Sequence, residues 1–246
     1  MKYIVGNWKM NMTASEIVEF SKKLKKYKFP KNSDVMFGLA VPFVYILGMD
    51  KMQSNMMMIG AQNVSNHERG AYTGEISAEM LADCGLDFCI VGHSERRAYF
   101  NETDEIINEK MKRLQENGVL PILCIGETAT QFEQGKTKEV LRAQLERDLA
   151  GLNKKEQIII AYEPVWAIGT GKSASGELVQ DTIKFIKQTL DEILGKQEHI
   201  VLYGGSVNPA NSGELLANDI VDGALIGGAS LDCDRFMEIA SSVFRG

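Results

Sequence analysis

Short, continuous apolar runs alternate with amphipathic stretches from one end of the chain to the other. The runs are Tyr3–Asn7, Val35–Ala40, Met56–Ala61, Phe88–Val91, Leu120–Ile125, Gln157–Ala161, Ile200–Tyr203 and Ala224–Ile226. Each is rich in β-branched or other apolar residues rather than alternating apolar and polar, the mark of a strand buried on both faces. Between them the pattern predicts helices over Ser15–Lys26, a short one from Pro42 to Lys51, Ser77–Asp83, Thr103–Glu116 ended by Gly118, and Thr137–Ala150. Further helices follow over Leu178–Leu194 ended by Gly195, from Pro209, and over Asp232–Phe244. Strands alternating with helices pair in parallel through right-handed crossovers. Eight such units in 246 residues predict one α/β domain spanning residues 1–246, a closed (β/α)8 TIM barrel.

In such a barrel the reactive groups stand at the C-terminal ends of the strands. Strand one ends Asn7-Trp8-Lys9, strand four Gly92-His93-Ser94-Glu95, and strand six runs into Glu163. Strands seven and eight end in double-glycine turns, Gly204-Gly205-Ser206 and Gly227-Gly228. Behind Glu163 comes Pro164-Val165-Trp166-Ala167-Ile168-Gly169-Thr170-Gly171-Lys172, a stiff start with a glycine tip, which predicts a lid over a carboxylate base. The tip also fits G-x-G-x-x-A and the end of a phosphate-cradling loop. It follows a late strand without an acidic partner strand, however, and Trp166 occupies the position where the phosphate loop needs glycine.

The double-glycine turns predict a phosphate grip built from backbone N–H groups. Glu163 is then a candidate base, His93 a proton donor to a carbonyl oxygen, and Lys9 a cation near that oxygen or a Schiff-base nucleophile. Glu95 pairs with Lys9 or caps the following turn, with Ser94 beside it. Cys124, in an apolar strand, reads as a structural thiol. A base, an electrophile, a cation and an anion grip suit proton abstraction next to the carbonyl of a sugar phosphate. A phosphate-binding barrel without activity and an aldolase acting through Lys9 are the alternatives.

Composition narrows the partners. Net charge is −6 and the sequence pI about 5.3, which argues against nucleic acid and anionic membranes. Lys22-Lys23-Leu24-Lys25-Lys26 reads as the solvated face of the first helix. Four cysteines without C-x-x-C spacing, an N-terminus that enters a strand directly, and no apolar run of membrane length predict a cytoplasmic protein with reduced thiols. His67, His93 and His199 lack metal-binding spacing, so neither metal nor cofactor is expected.

Several stretches together resemble the triosephosphate isomerase family, in order over the whole chain. They are Gly6–Asn11, Gly60–Asn63, Gly70–Glu75, Val91–Arg97, Cys124–Thr128, Ala161–Lys172, Tyr203–Val207 and Gly227–Leu231. The resemblance implies interconversion of dihydroxyacetone phosphate and glyceraldehyde 3-phosphate without a cofactor. Glu163 would move the proton between C1 and C2, and neutral His93 would polarise the carbonyl. Asn7 and Lys9 would contact substrate oxygens, and the N–H groups of Gly169, Ser206, Gly227 and Gly228 would hold phosphate. It also implies a homodimer, with the 62–75 loop inserted into the partner and Thr73 near Asn7, Lys9 and Glu95. Ala129–Glu133 departs from the family, which usually carries a charged run with arginine there, and Tyr72 stands where phenylalanine is commoner.

Overall fold

Eight parallel strands close on themselves in the order β1-β2-β3-β4-β5-β6-β7-β8. They are β1 (Lys2–Asn7), β2 (Val35–Val41), β3 (Met57–Ala61), β4 (Phe88–Val91), β5 (Leu120–Ile125), β6 (Ile159–Tyr162), β7 (Ile200–Tyr203) and β8 (Gly223–Ile226). The helices are α1 (Ala14–Leu24), α2 (Ala78–Asp83), α3 (Ser94–Tyr99), α4 (Asp104–Glu116), α5 (Ala129–Glu133), α6 (Thr137–Asp148), α7 (Gly176–Leu194), α8 (Pro209–Ala217) and α9 (Cys233–Ser241). This computed structural model describes residues 1–27, 34–49, 57–167 and 174–243. The expected ends at Met56, Lys51 and Phe244 lie outside the described residues.

The continuous apolar runs divide between two cores because neighbouring side chains on a strand face opposite ways. Val5, Phe88, Ile90, Ile122, Cys124, Ile159, Ala161, Leu202 and Leu225 form one cluster, the filling of the barrel. Their neighbours Ile4, Cys89, Val91, Leu123, Ile125, Ile160 and Val201 join a second, larger cluster with the helices. Phe88 is fully buried, and its ring takes the volume that a side chain on β3 would need. A Cβ built on Gly60, its register partner, would stand 2.4 Å from that ring.

Two helices that periodicity did not reveal, α3 and α5, have six and five residues, too short for an amphipathic stripe to register. The predicted helix after β2 is instead a 3₁₀ helix, Phe43–Gly48. Further 3₁₀ turns follow β6 (Val165–Ala167) and β8 (Gly228–Leu231). β6 begins two residues later than its apolar run and ends at Tyr162, so Glu163 is the first residue beyond the strand.

Candidate active site

The carboxylate at the end of β6 is gripped at both oxygens. Glu163 is only 2% exposed. Its backbone N–H still donates to Ile125 of β5 at 2.8 Å, so the side chain leaves from the sheet and not from a loose loop. Gly126 permits that approach, since a Cβ there would lie 1.8 Å from the Glu163 carbonyl oxygen. Oε1 lies 3.0 Å from His93 Nε2, and Oε2 accepts the Ser94 backbone N–H at 2.8 Å.

His93 is the N-cap of α3, and its Nδ1 accepts the backbone N–H of Glu95 at 3.2 Å. With Nδ1 occupied as acceptor, the ring proton sits on Nε2 and donates to Glu163, the pattern of a neutral imidazole. Burial disfavours the imidazolium while the adjacent Glu163 carboxylate favours it, and the net direction is upward. The Glu95 N–H opposes that rise, because a second ring proton would meet it head-on. For Glu163, burial pushes the carboxyl up, but His93 and the Ser94 N–H more than offset this, leaving it below the ordinary value.

Asn7 and Lys9 reach the same cavity from β1. Asn7 Oδ1 accepts the Lys9 N–H at 3.0 Å, a local turn that holds Lys9 at φ 52°. Gln62 Nε2 donates to the Lys9 carbonyl at 2.9 Å. Lys9 Nζ pairs with Glu95 Oε1 at 2.5 Å, so of the two expected roles for Glu95 its side chain takes the ion pair. Lys9 Nζ is engaged by Glu95, which gives no support to a Schiff-base reading. Cys124 points into the barrel below, and burial, with Glu163 nearby, holds its thiol far above the ordinary range. It is a packed thiol and not a nucleophile.

A cavity of about 340 Å³ collects Asn7, Lys9, His93, Glu163, Ser206, Gly227 and Gly228. Ser94 faces a neighbouring cavity of about 260 Å³ that Glu163 also lines, so the carboxylate stands between the two. The anion-grip candidates lie at the ends of β7 and β8, with the 3₁₀ turn after β8 starting at Gly228. Ser206 Oγ donates to the Ala167 carbonyl at 2.9 Å, tying the β7 turn to the segment that follows Glu163. That segment is held from the other side too. Trp166 Nε1 donates to Glu127 Oε1 at 2.9 Å, and the Val165 N–H donates to the Glu127 carbonyl at 3.2 Å. Phe132 of α5, in the stretch that departs from the family's charged run, stacks on Trp166 with centroids 4.3 Å apart. Ile168, Gly169, Thr170, Gly171 and Lys172 lie outside the described residues.

Thr73 is exposed in the connection after β3 and does not line the cavity. That connection is closed at its neck, where the Ser65 N–H donates to the Ile76 carbonyl at 2.8 Å. His67 and Tyr72 stack within it, 3.7 Å apart.

Three contributors escaped the strand-end reading. Arg97 donates to the Gly92 carbonyl (2.9 Å) and the Cys124 carbonyl (3.3 Å), and pairs with Asp104 and Asp148, each at 2.5 Å. It braces β4 against β5 behind His93. Asn208 and Arg235 line the cavity from beyond β7 and β8. An arginine in the Val91–Arg97 stretch was visible in the sequence, but two of its four acceptors, Cys124 and Asp148, lie 27 and 51 positions away.

The family model described as triosephosphate isomerase matches residues 2–243. A triosephosphate isomerase of Mycoplasmoides gallisepticum is 47% identical over 243 residues, covering 97% of this chain and 96% of that protein. One from Fusobacterium nucleatum is 47% identical with 96% of each chain covered, and one from Acetivibrio thermocellus 45% identical with 96% and 95% covered. With a closed (β/α)8 barrel, the gripped carboxylate at the end of β6 and relatives of this identity along nearly its full length, the chain belongs to the triosephosphate isomerase family.

Proposed function

We propose that the 340 Å³ cavity binds a triose phosphate and that Glu163, His93 and Lys9 interconvert dihydroxyacetone phosphate and D-glyceraldehyde 3-phosphate there through an enediolate. The observation that carries this is the double grip on Glu163, by His93 Nε2 and the Ser94 N–H, beside a cavity lined by Gly227 and Gly228. Glu163 takes the proton from the carbon next to the carbonyl, and the Nε2–H of His93 donates to the carbonyl oxygen. The His93 ring takes up the proton of the neighbouring hydroxyl after giving its own to the carbonyl oxygen. Glu163 returns its proton to the former carbonyl carbon, so that the carbonyl forms on the carbon that first lost the proton. Lys9 sets positive charge near the oxygens, and Asn7 positions them. The N–H groups of Ser206, Gly227, Gly228 and, on the family pattern, Gly169 hold the phosphate, with residues 164–172 as a lid that keeps water from the enediolate.

The grip on Glu163 also supplies a mechanism for its basicity. The groups that lower its pKa are His93 and the Ser94 N–H, while burial raises it. Turning toward substrate leaves the first two behind and keeps the burial, so the carboxylate becomes the stronger base as it reaches the carbon acid. A coupled isomerase assay on the purified protein tests the reading: steady turnover of both triose phosphates is expected, and no turnover of either would overturn it.

The reading extends to a cytoplasmic homodimer, folded as one domain, with no nucleic acid or membrane partner. Met10, Val44 and Leu47 are exposed by 96%, 81% and 80%, and the self-closed 62–76 connection stands out with Thr73 and Tyr72 exposed. Such apolar exposure fits a surface covered by a second copy. Among the described residues no helix is long and apolar enough to cross a membrane. Sedimentation should give the mass of two chains, and a fully active monomer would contradict the dimer.

A further inference from the structure

The cavity holds a cation that the proposed chemistry does not use. Arg235 lines it together with Ser206, Asn208, Gly227 and Gly228, from the first turn of α9. The Asp232 side chain accepts the Arg235 backbone N–H at 2.9 Å, which sets where the arm departs. Two acidic neighbours along the chain are committed elsewhere: Asp232 to this cap, Asp234 to Lys23 at 2.6 Å and to Tyr27 at 2.8 Å. Among the described residues the Arg235 guanidinium has no ion-pair partner. Lys9, the other cation of the cavity, is already paired with Glu95.

We infer that Arg235 is an anion-recognition residue for the phosphate of the substrate, supplementing a grip otherwise made of uncharged backbone donors. This rests on the proposed triose phosphate reading and deepens it. The chain carries a net charge of −6, so a phosphate dianion approaches against an unfavourable overall field. Arg235 lines the same cavity as Gly227 and Gly228, and an unpaired guanidinium there reverses the field locally and offers parallel donors matched to phosphate oxygens. Because Arg235 is exposed, its effect is that of a rim charge, stronger on capture than on chemistry and sensitive to salt.

The experiment compares the wild type with Arg235→Gln and Arg235→Lys at low ionic strength and near ~0.5 M salt, where screening is nearly complete. It reads KM and kcat for both triose phosphates, and the dissociation constant of inorganic phosphate by calorimetry. At low salt Arg235→Gln should raise KM and the phosphate dissociation constant together, about two- to fivefold, with a smaller change in kcat. High salt should narrow the difference, and Arg235→Lys should recover part of it. Unchanged KM and phosphate affinity in Arg235→Gln would overturn the inference. So would a loss equal at both salt concentrations and not relieved by lysine, the mark of a structural role. A wild type without turnover whose phosphate binding still weakens in Arg235→Gln would sink the isomerase reading and leave this one standing.

Discussion

Glu163 and Asp148 are both buried carboxylates, and their surroundings treat them in opposite ways. Glu163 has both oxygens partnered, by a neutral histidine and a backbone N–H, and its pKa falls. Asp148, at the end of α6, has Oδ2 on Arg97 at 2.5 Å while its Oδ1 is buried without a hydrogen-bond partner. Burial pushes its carboxyl up to about 7 even though Arg97 pulls it down, with the nearby Asp104 adding to the rise. Burial alone therefore does not make a base. The proposed base is the carboxylate held by a histidine and one backbone N–H and not by a guanidinium. Asp148 is locked to a guanidinium that also holds the Gly92 and Cys124 carbonyls, so it braces the ends of β4 and β5.

The largest contrast comes from removing each charge in turn. Glu163→Gln should lower turnover about 1,000-fold or more in the coupled assay, with a melting temperature within a few degrees of wild type. Glu163→Asp, which keeps the charge but draws it back by about one methylene, should lose about 100-fold. Near-normal turnover in either would remove Glu163 from its role. Asp148→Asn should do the reverse. In denaturant titration its effect on stability should depend on pH and be least costly near pH 8, where the wild type must carry the buried carboxylate ionised, while turnover falls far less.

The dependence of stability on pH separates the pair further. Asp148 binds its proton more tightly in the folded protein than near the ordinary 3.8, so unfolding releases a proton between about pH 4 and 7. Its contribution is greatest below that window and declines as pH rises through it, by at most about 1.4 kcal/mol per pH unit. Glu163 has the opposite sign: with its pKa lowered from 4.5, its contribution is present above that value and lost as pH falls. Asp148→Asn should flatten the decline toward neutrality, and Glu163→Gln should lessen the loss in acid. A decline unchanged in Asp148→Asn would assign it to another group.

The smallest expected effect concerns the segment that Glu163 leads into. Phe132→Leu keeps apolar volume but removes the ring stacked on Trp166, a loss of about 1 kcal/mol. With two tryptophans in the chain, Trp8 fully buried on β1's side, the emission change reports mainly on Trp166. An unaltered spectrum would mean that Glu127 alone positions the indole.

What the sequence by itself determined was whatever depends on neighbours along the chain. Continuous apolar runs marked strands covered on both faces, their spacing dictated parallel crossovers, and eight units closed the barrel. The strand-end rule then brought Asn7, Lys9, His93, Glu163, Ser206, Gly227 and Gly228 to one rim, where the cavity collects them. Only the tertiary structure decided the pairings, because they depend on the register of strands distant in sequence. Lys9 meets Glu95 across 86 positions, Glu163 meets the Ser94 N–H across 69, and Arg97 meets Asp148 across 51. No local period encodes which nitrogen of His93 carries the proton. That follows from α3, a six-residue helix whose first turn aims the Glu95 N–H at Nδ1. The same holds for Arg235, an ordinary polar position of an amphipathic helix until barrel closure brings it to the cavity that Gly227 and Gly228 also line. Periodicity reports whether a residue is covered, and the closed barrel alone determines by what.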